Sequence, residues 1–244
     1  MLVWGVRPLF KSLSVVVPCL DEESNLEEFD SSFFPYFDQF SIEKEFIFID
    51  DGSKDKTRSI IRGFSKRHEN IITIDHDFPL GLGKSLRDAF AKASGEAIVV
   101  FDADLTFHPK DLYKLVENYK PGIDCVSGSP ILGSMNDVSF FRKFLSVSVN
   151  KIYQLLLTQN ISAVSSIFRV YRTSRIKEMN LVSVSFDINA EIFFQLLKKK
   201  ARIVEVPVAL GKRTKGRSKI NFLKEIINHL KMFIKIIYWR LGFN

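Results

Sequence analysis

Residues 97–106 read AIVVFDADLT: five apolar residues, then two aspartates one residue apart. The apolar run predicts a strand that is buried on both faces, as in a parallel sheet. Ligands of open α/β sheets lie beyond the carboxyl ends of the strands, so we expect Asp102 and Asp104 at the ligand edge. Two carboxylates there suit Mg²⁺ or Mn²⁺, which bind protein carboxylates together with phosphate oxygens of a substrate. A strand followed by a plain acidic turn is the alternative interpretation of so short a motif.

The segments around this strand predict an α/β fold. Before residue 130, helical patterns alternate with predicted strands at 13–17, 46–49, 71–75, 97–101 and 123–127. Such alternation favours right-handed βαβ units and a mostly parallel sheet flanked by helices. Beyond residue 130 we predict helices at 138–158, 187–200 and 220–240 and short strands at 167–171 and 202–206. Pro18 and Pro207 are expected to end strands. We assign one domain to 1–219 and a C-terminal amphipathic helical extension to 220–244.

Composition restricts the class of protein and its partners. The chain has 244 residues, 46% of them hydrophobic, which is enough for a buried core. Its net charge of +7 predicts an anionic partner: nucleic acid, a phospholipid surface or a phosphorylated substrate. Nucleic acid is disfavoured, because no helix-turn-helix, zinc-finger or aromatic RNA-binding motif accompanies the charge. Cys19 and Cys125 lie in or beside apolar runs, so we expect reduced thiols and a cytosolic protein.

Two further segments are candidates for the same ligand edge. Asp50 and Asp51 follow the second strand, where an aspartate can accept hydrogen bonds from a ribose or a base N–H, or can form a capping turn only. The segment GKRTKGRSK (211–219) is either a solvated basic loop or a loop that offsets the charge of a diphosphate. The turn at 81–83 lacks the glycine spacing of a P-loop and of a dinucleotide fingerprint, which excludes a P-loop NTPase and disfavours NAD binding.

Seven segments, taken in order, resemble one known family. They are VVVPCLDEESNL, IFIDDGSKDKT, GLGKSL, VVFDADLTFHPKDL, RKFLSVSVN, SSIFRVYR and EVPVALGKRTKGRSK. Together they resemble the family-2 glycosyltransferases, most of all the dolichyl-phosphate mannosyltransferase and polyprenyl-phosphate glycosyltransferase branch. The resemblance covers about residues 13–222 and implies a Rossmann-like GT-A fold.

The resemblance also implies roles for individual residues. The nucleotide-sugar contacts that it implies are Pro18, Leu20, Glu22, Ile49, Asp51, Asp102, Ala103, Asp104, Arg213 and Lys219. The implied metal contacts are Asp102, Asp104 and Thr106, and the implied contacts to an acceptor phosphate are Arg142 and Ser146. Among these, Asp102, Asp104 and Arg213 are the expected catalytic residues.

The implied reaction is an inverting hexosyl transfer. The donor would be a nucleotide sugar, GDP-mannose or UDP-glucose, the acceptor a polyprenyl or dolichyl phosphate, and the cofactor Mg²⁺ or Mn²⁺. Among several departures from the family pattern, Pro130 stands where the mannosyltransferases carry an arginine, and Ala163 stands where an aspartate is usual. Two alternatives remain open. One is a saccharide acceptor, with Glu191 or Asp187 as general base, and the other is a catalytically impaired nucleotide-sugar-binding partner subunit.

The predicted helix at 220–240 has an apolar arc that is wider than one contact with a core requires. The polar stripe consists of Lys224, Asn228, Lys231 and Lys235, and the row roughly opposite consists of Phe222, Ile226, Leu230, Phe233 and Ile237. We expect this helix to bind an anionic membrane surface, or a membrane-embedded partner subunit, on the cytoplasmic side. Packing wholly against the domain or in a homodimer is the alternative. No apolar run approaches the roughly 18–20 residues that a spanning helix needs.

Overall fold

The computed structural model describes residues 8–135, 140–157, 161–213, 215–216 and 222–242, with the side chains of all these residues except 141–142 and 222–224. The described strands are β1 (Ser12–Cys19), β2 (Glu43–Asp50), β3 (Ile71–Asp75), β4 (Ala97–Val100), β5 (Cys125–Ser134), β6 (Arg169–Arg172) and β7 (Ile203–Ala209). They form one seven-stranded sheet in the order β3-β2-β1-β4-β6-β5-β7.

One strand of the sheet runs against the others. β6 is antiparallel to both of its neighbours, β4 and β5, whereas the remaining pairings among the described strands are parallel. The predicted mostly parallel α/β sheet is therefore confirmed. The carboxyl ends of β1, β2, β4, β5 and β7 meet at one edge of the sheet, and β6 begins at that same edge.

The two prolines do not end their strands, contrary to the prediction. β1 continues through Pro18, which pairs with Ile49 of β2. The pairing of β1 with β4 stops at Val16, so Pro18 has a neighbouring strand on one side only and its missing N–H costs no ladder bond. Pro207 lies in β7, which is an edge strand of the sheet, and pairs with Ser129. Prolines at such edge positions are compatible with a strand.

The described helices are α1 (Glu23–Leu26), α2 (Phe29–Ser32), α3 (Phe34–Phe37), α4 (Thr57–Arg67), α5 (Leu82–Lys92), α6 (Leu112–Asn118), α7 (Phe140–Leu157), α8 (Thr173–Lys177), α9 (Ile188–Lys198) and α10 (Phe222–Arg240). The helix expected directly after β1 is three single turns instead. These turns aim several phenylalanines at one point: Phe33 stacks on Phe29 and meets Phe101 edge-on, with ring centroids 4.5 Å and 5.5 Å apart. The aromatic cluster thus supports the residue directly before Asp102.

A second, smaller core joins the C-terminal helices. It is formed by buried side chains of α7, α9 and α10 and the turn before β6, namely Tyr153, Leu157, Val164, Ala190, Phe193, Phe194, Met232, Phe233 and Ile236. α10 therefore packs one face against α7 and α9. Cys19 and Cys125 are both buried thiols that form no disulfide, as expected.

Candidate functional site

The turn after β4 presents the two predicted metal ligands. β4 is fully buried, and the chain reverses directly after Phe101. The carbonyl of Asp102 accepts a hydrogen bond from Leu105 N (3.1 Å), and Leu105 adopts a left-handed backbone with φ of 50°. A left-handed leucine is strained, and such strain concentrates at functional sites. The carboxylate of Asp104 is held by its own turn, since its Oδ1 accepts from Thr106 N (3.1 Å).

The basic loop is fastened beside this turn. Gly211 N donates to the carbonyl of Thr106 (2.8 Å), and Phe107 and Leu210 form an antiparallel bridge. These contacts bring Arg213 to the aspartates. Arg213 Nε donates to Asp104 Oδ2 at 2.8 Å, so Arg213 of the basic loop neutralises the second aspartate of the Asp-x-Asp turn.

Arg213 also reaches the loop after β1. Its second amino nitrogen donates to Glu22 Oε1 at 3.0 Å. Glu22 is 7% exposed and is itself fixed, because its N donates to Thr57 Oγ1 (2.7 Å) and its Oε2 accepts from Asn25 (2.5 Å). Burial works to lower the pKa of Arg213, but Asp104 and Glu22 outweigh it and the pKa is raised. Arg213 is therefore a fixed, permanently charged bridge between two carboxylates.

Asp51 fixes the loop between β3 and α5 by accepting hydrogen bonds from its backbone. Its Oδ1 accepts from Leu80 N (2.9 Å) and lies 2.7 Å from His76 Nδ1, while its Oδ2 accepts from Gly81 N (2.9 Å). Gly81 has φ of 91°, a conformation that favours glycine. A carboxylate offers about four lone-pair positions, so these three contacts leave room for about one further donor, on Oδ2. The predicted nucleotide contact at Asp51 thus has at most one acceptor position to offer.

His76 belongs to the same site but was not predicted from the sequence. Its ring lies between two carboxylates, with Nδ1 2.7 Å from Asp51 and Nε2 3.0 Å from Asp88 Oδ2. The neighbouring Asp50 is structural: it is fully buried and accepts from Arg58 Nε at 2.6 Å. No spacing rule links these residues, since the partners of His76 lie 25 and 12 positions away in the sequence.

The other predicted site residues lie at several places in the structure. Pro18 and Ile49 are paired across β1 and β2, and Ile49 and Ala103 are buried. Ser146 is half-buried on α7, where its carbonyl accepts from Asn150 (2.8 Å). Thr106 and Leu20 are half-buried near the same edge of the sheet. The side chain of Arg142 and the whole of Lys219 lie outside the described residues.

The turn at 161–168 lies between α7 and β6 in the sequence. Asn150 of α7 holds it through Ser165, whose N donates to Asn150 Oδ1 (3.2 Å). Glu205 of β7 accepts from the backbone N of Ser162 (2.7 Å) and of Ala163 (2.9 Å). At Ala163, where the family usually carries an aspartate, the backbone N–H therefore makes the contact to Glu205.

Arg169 fixes the same turn from below. It is fully buried and donates to the carbonyls of Ala163 (2.9 Å), Val164 (2.6 Å) and Asn189 (3.0 Å). Its guanidinium also lies 5.1 Å from the ring centroid of Phe193. A buried arginine satisfied by three carbonyls ties the start of β6, the turn and α9 into one unit.

The donor set fits a divalent cation that completes its coordination with a ligand. Among the described residues, no group of three His, Cys, Asp or Glu side chains could hold a metal by itself. Asp102 and Asp104 supply two hard carboxylates on one turn, and Mg²⁺ and Mn²⁺ combine such ligands with phosphate oxygens. The guanidinium on Asp104 Oδ2 demonstrates that this carboxylate faces a position that accepts positive charge.

The family of the chain follows from its comparison with known proteins. The model of glycosyl transferase family 2 matches residues 14–179, from β1 to the end of the turn after α8. The chain belongs to glycosyl transferase family 2. The suspected family resemblance is therefore confirmed, and the matched region contains Glu22, Asp51 and the Asp-x-Asp turn.

Curated relatives of this family-2 chain have lipid phosphates in their names. It is 29% identical over 231 residues to dolichol-phosphate mannosyltransferase of Pyrococcus furiosus, which covers 93% of this chain and 64% of the relative. It is 28% identical over 218 residues to undecaprenyl-phosphate 4-deoxy-4-formamido-L-arabinose transferase of Edwardsiella ictaluri, covering 88% of this chain and 64% of the relative. The chain thus spans just under two thirds of the length of both relatives.

Solved structures confirm the fold of this family-2 chain. Glucosyl-3-phosphoglycerate synthase from Mycobacterium tuberculosis, in complex with Mn²⁺, UDP and glucosyl-3-phosphoglycerate, matches with a TM-score of 0.65 at 19% identity, covering 96% of this chain and 81% of that one. The same enzyme with Mn²⁺, UDP-glucose and phosphoglyceric acid matches with a TM-score of 0.70 at 20% identity over the same shares. The GT-A fold expected from the resemblance is therefore present.

The alternative general base of this family-2 chain is tied into the structure. Glu191 is fully buried and accepts from Val182 N (2.9 Å), Ser183 N (2.8 Å) and Lys235 Nζ (2.8 Å). Burial works to raise the pKa of Glu191, but Lys235 and the two backbone N–H groups outweigh it and the pKa is lowered. A carboxylate that is so stabilised in its ionised form is a poor proton acceptor. Asp187 begins α9 and accepts from Ser185 N (3.2 Å).

The C-terminal helices of this family-2 chain carry a set of exposed apolar side chains, which we call the apolar face. It consists of Phe140, Phe144, Val147, Ile152 and Leu155 on α7 and Ile226, Ile227, Leu230, Ile234, Ile237, Tyr238 and Leu241 on and just after α10, all more than a third exposed. Of the predicted apolar row of α10, Phe233 is buried in the second core instead, because α10 turns that side toward Tyr153 (ring centroids 4.7 Å apart). The side chain of Phe222 lies outside the described residues.

The charged residues of α7 and α10 are almost all basic. Their single acidic residue, Glu225, is buried and accepts from Ser185 Oγ at 2.5 Å. Lys143 and Lys151 on α7 and Lys231 on α10 are exposed. The exposed charged side chains of these two helices are therefore cationic wherever the structure describes them. Within the described parts of the chain, the helices fall short of the length and hydrophobicity that crossing a bilayer requires.

Proposed function

We propose that the chain is an inverting glycosyltransferase that moves a hexose from a nucleotide sugar to a polyprenyl or dolichyl phosphate. The observation that carries the proposal is the bridge from Glu22 through Arg213 to Asp104 at the carboxyl edge of the sheet. It supports a diphosphate site, because it combines a carboxylate turn that suits a divalent cation with a guanidinium that suits phosphate oxygens. Family membership and the names of the curated relatives agree with this chemistry.

On the donor side, the chain's own residues would bind the base and the diphosphate. The remaining acceptor position of Asp51 suits an N–H or O–H of the nucleoside. Mg²⁺ or Mn²⁺, held by Asp102 and Asp104 with Thr106 nearby, would supply Lewis-acid stabilisation of the leaving diphosphate. Arg213 would stabilise the same developing charge from the other side, which is electrostatic catalysis. The donor base and sugar, GDP-mannose or UDP-glucose, are left to the experiment.

On the acceptor side, a phosphate monoester is a substrate that needs no general base from the protein. Its second pKa is about 6, so it is largely ionised near neutral pH and attacks without a general base. The engagement of Glu191 with Lys235 argues in the same direction, since a saccharide hydroxyl would require a base. Arg142 and Ser146 on α7 are the proposed contacts to the acceptor phosphate.

The apolar face supports a lipid acceptor at a membrane surface. Exposed apolar patches of this extent mark interaction sites, and the cationic surroundings match anionic lipid head groups. We therefore propose a peripheral enzyme on the cytoplasmic face of a membrane, with α7 and α10 at the lipid. A membrane-embedded partner subunit would be the alternative occupant of the same face.

A transfer assay tests the proposal. Purified protein with Mn²⁺ is given UDP-glucose or GDP-mannose, and either a short polyprenyl phosphate or a free saccharide. We expect a glycosylated lipid phosphate from one of the donors, and a loss of at least about 100-fold in Asp104→Ala. Asp38→Ala, which removes an exposed aspartate from the opposite edge of the sheet, is the matched control. Transfer to the saccharide alone, or donor binding without any transfer, would contradict the proposal, the latter in favour of a non-catalytic subunit.

A further inference from the structure

Arg213 is bound to two carboxylates at the proposed donor site. Arg213 donates to Asp104 Oδ2 at 2.8 Å and to Glu22 Oε1 at 3.0 Å, with only 22% of its side chain exposed. The loop that carries Arg213 is anchored next to Asp104 through Gly211 and Thr106. The guanidinium is therefore held in place from two sides rather than sampling the solvent.

The contact occupies a carboxylate oxygen of Asp104 that is also a potential metal ligand. Asp104 Oδ1 accepts from Thr106 N, and Arg213 Nε is bound to Oδ2. A divalent cation that approaches Oδ2 meets a positive charge already hydrogen-bonded there, and like charges repel. Metal binding to the carboxylate therefore competes with Arg213.

A diphosphate removes the competition. Its oxygens offer a guanidinium a charged, bidentate acceptor that is at least as good as a carboxylate. Once Arg213 turns to the diphosphate, Asp104 Oδ2 is released to the metal. Glu22, which is pinned by Thr57 and Asn25, holds the other end of Arg213, so the guanidinium can exchange Asp104 for phosphate without leaving the site.

We propose that Arg213 is a built-in counterion that makes metal binding conditional on diphosphate binding. The inference rests on the proposed function, since it assumes that a nucleoside diphosphate and a divalent cation share this site. It predicts positive coupling between the two ligands, and by linkage each ligand raises the affinity for the other by the same factor. The site should therefore bind free metal weakly and bind the metal and the diphosphate tightly only when both are present.

The test measures Mn²⁺ binding by the full chain without any turnover. Mn²⁺ is titrated by electron paramagnetic resonance, alone and with UDP or GDP, into the unaltered protein and Arg213→Ala. We expect Arg213→Ala to bind Mn²⁺ alone at least tenfold more tightly than the unaltered protein. The factor by which the nucleotide improves Mn²⁺ affinity should fall at least tenfold in the same variant.

Two further variants make the result specific. Lys215→Ala removes a cation from the same loop, but Lys215 pairs with Glu28 (2.6 Å) rather than with the aspartate turn, so Mn²⁺ affinity should stay within about twofold of the unaltered protein. Arg213→Lys keeps the positive charge and should keep Mn²⁺ alone weak, even if Arg213→Ala folds poorly by circular dichroism.

Several outcomes overturn the inference. It fails if Arg213→Ala binds Mn²⁺ alone no better than the unaltered protein, if Arg213→Lys gains as much affinity as Arg213→Ala, or if Lys215→Ala gains equally. Failure of the proposed function is seen elsewhere, as an absence of transfer to polyprenyl phosphate while the Mn²⁺ coupling is intact. Conversely, transfer with uncoupled Mn²⁺ and nucleotide binding would overturn only the counterion role.

Discussion

If the apolar face binds a membrane, then removing exposed apolar area from α10 must weaken that binding without unfolding the protein. Leu230 and Ile234 are the best positions for this change, because they lie one helical turn apart and are 53% and 54% exposed. Their side chains contribute little to the second core, which α10 builds from Met232, Phe233 and Ile236. The perturbation is the double substitution Leu230→Ser and Ile234→Ser.

The magnitude follows from the area that is still exposed. Transferring a whole leucine or isoleucine side chain out of water contributes about 1.5–3 kcal/mol. About half of each side chain is already covered by the protein, so each contributes on the order of 1 kcal/mol at the membrane. The double variant should therefore lose about 2 kcal/mol, which corresponds to roughly a 30-fold lower partition coefficient.

Flotation with anionic vesicles measures this partition coefficient. Phe78→Ser is the matched control: Phe78 is 64% exposed, but it lies in the loop after β3, at the opposite edge of the sheet from β7. We expect the control to float like the unaltered protein and the double variant to remain largely in the soluble fraction at the same lipid concentration. Equal flotation of all three proteins would refute the assignment of the apolar face to lipid.

Three predictions concern the supports of the site. Burial lowers the pKa of His229, so the unfolded chain takes up a proton at higher pH than the folded chain, and stability is complete above the unfolded pKa of about 6.5 and is lost as the pH falls below it. His229→Gln should flatten the dependence of the melting temperature on pH between about pH 7 and 5. Lys235→Met leaves Glu191 buried without its cation; because Lys235 is 46% exposed, we expect a modest loss of about 1–2 kcal/mol in urea unfolding. Gly83→Ala should cost about 1–3 kcal/mol, because the new Cβ would collide with the carbonyl of Ser183.

Each of these predictions can be contradicted by a specific result. An unchanged pH profile in His229→Gln would assign the acid sensitivity to other groups. A Lys235→Met variant as stable as the unaltered protein would indicate that the two backbone N–H groups suffice for Glu191. For Gly83→Ala, the control is Gly63→Ala in α4, where the new Cβ meets only the end of a flexible arginine at 3.4 Å and helix propensity favours alanine by about 1 kcal/mol. Equal effects of the two alanines would exclude the steric explanation.

The sequence predicted those features that depend on neighbouring residues. The apolar run of β4 and the two acids behind it are consecutive, so both the buried strand and the carboxylate turn could be predicted. α7, α9 and α10 followed from their periodicity, with ends within a few residues of the expected ones. The direction of β6 could not be predicted, because an apolar pattern is the same for a parallel and an antiparallel strand.

The contacts that assemble the site join residues that are far apart in the sequence, and they could not be predicted in this way. Arg213 is 109 residues from Asp104 and 191 from Glu22, and no spacing rule reports on such a distance. The family resemblance assigned all three residues to one ligand, but it gave no reason to expect that they bind each other. His76 was missed for the same reason, since its role depends on two carboxylates brought to it by the fold.

The reversed strand explains how the elements of the proposed donor and acceptor sites come to share an edge. Because β6 runs antiparallel to β4, it begins where β4 ends, and the turn before it lies beside the aspartates: the ring centroid of Phe168 is 4.9 Å from that of Phe101. Arg169 ties this turn to α9, and Asn150 ties it to α7. A parallel strand in the place of β6 would put the turn at the far edge of the sheet. The antiparallel strand therefore connects α7 and α9 to the carboxylate turn, which would let the proposed lipid phosphate and the proposed sugar diphosphate meet at one site.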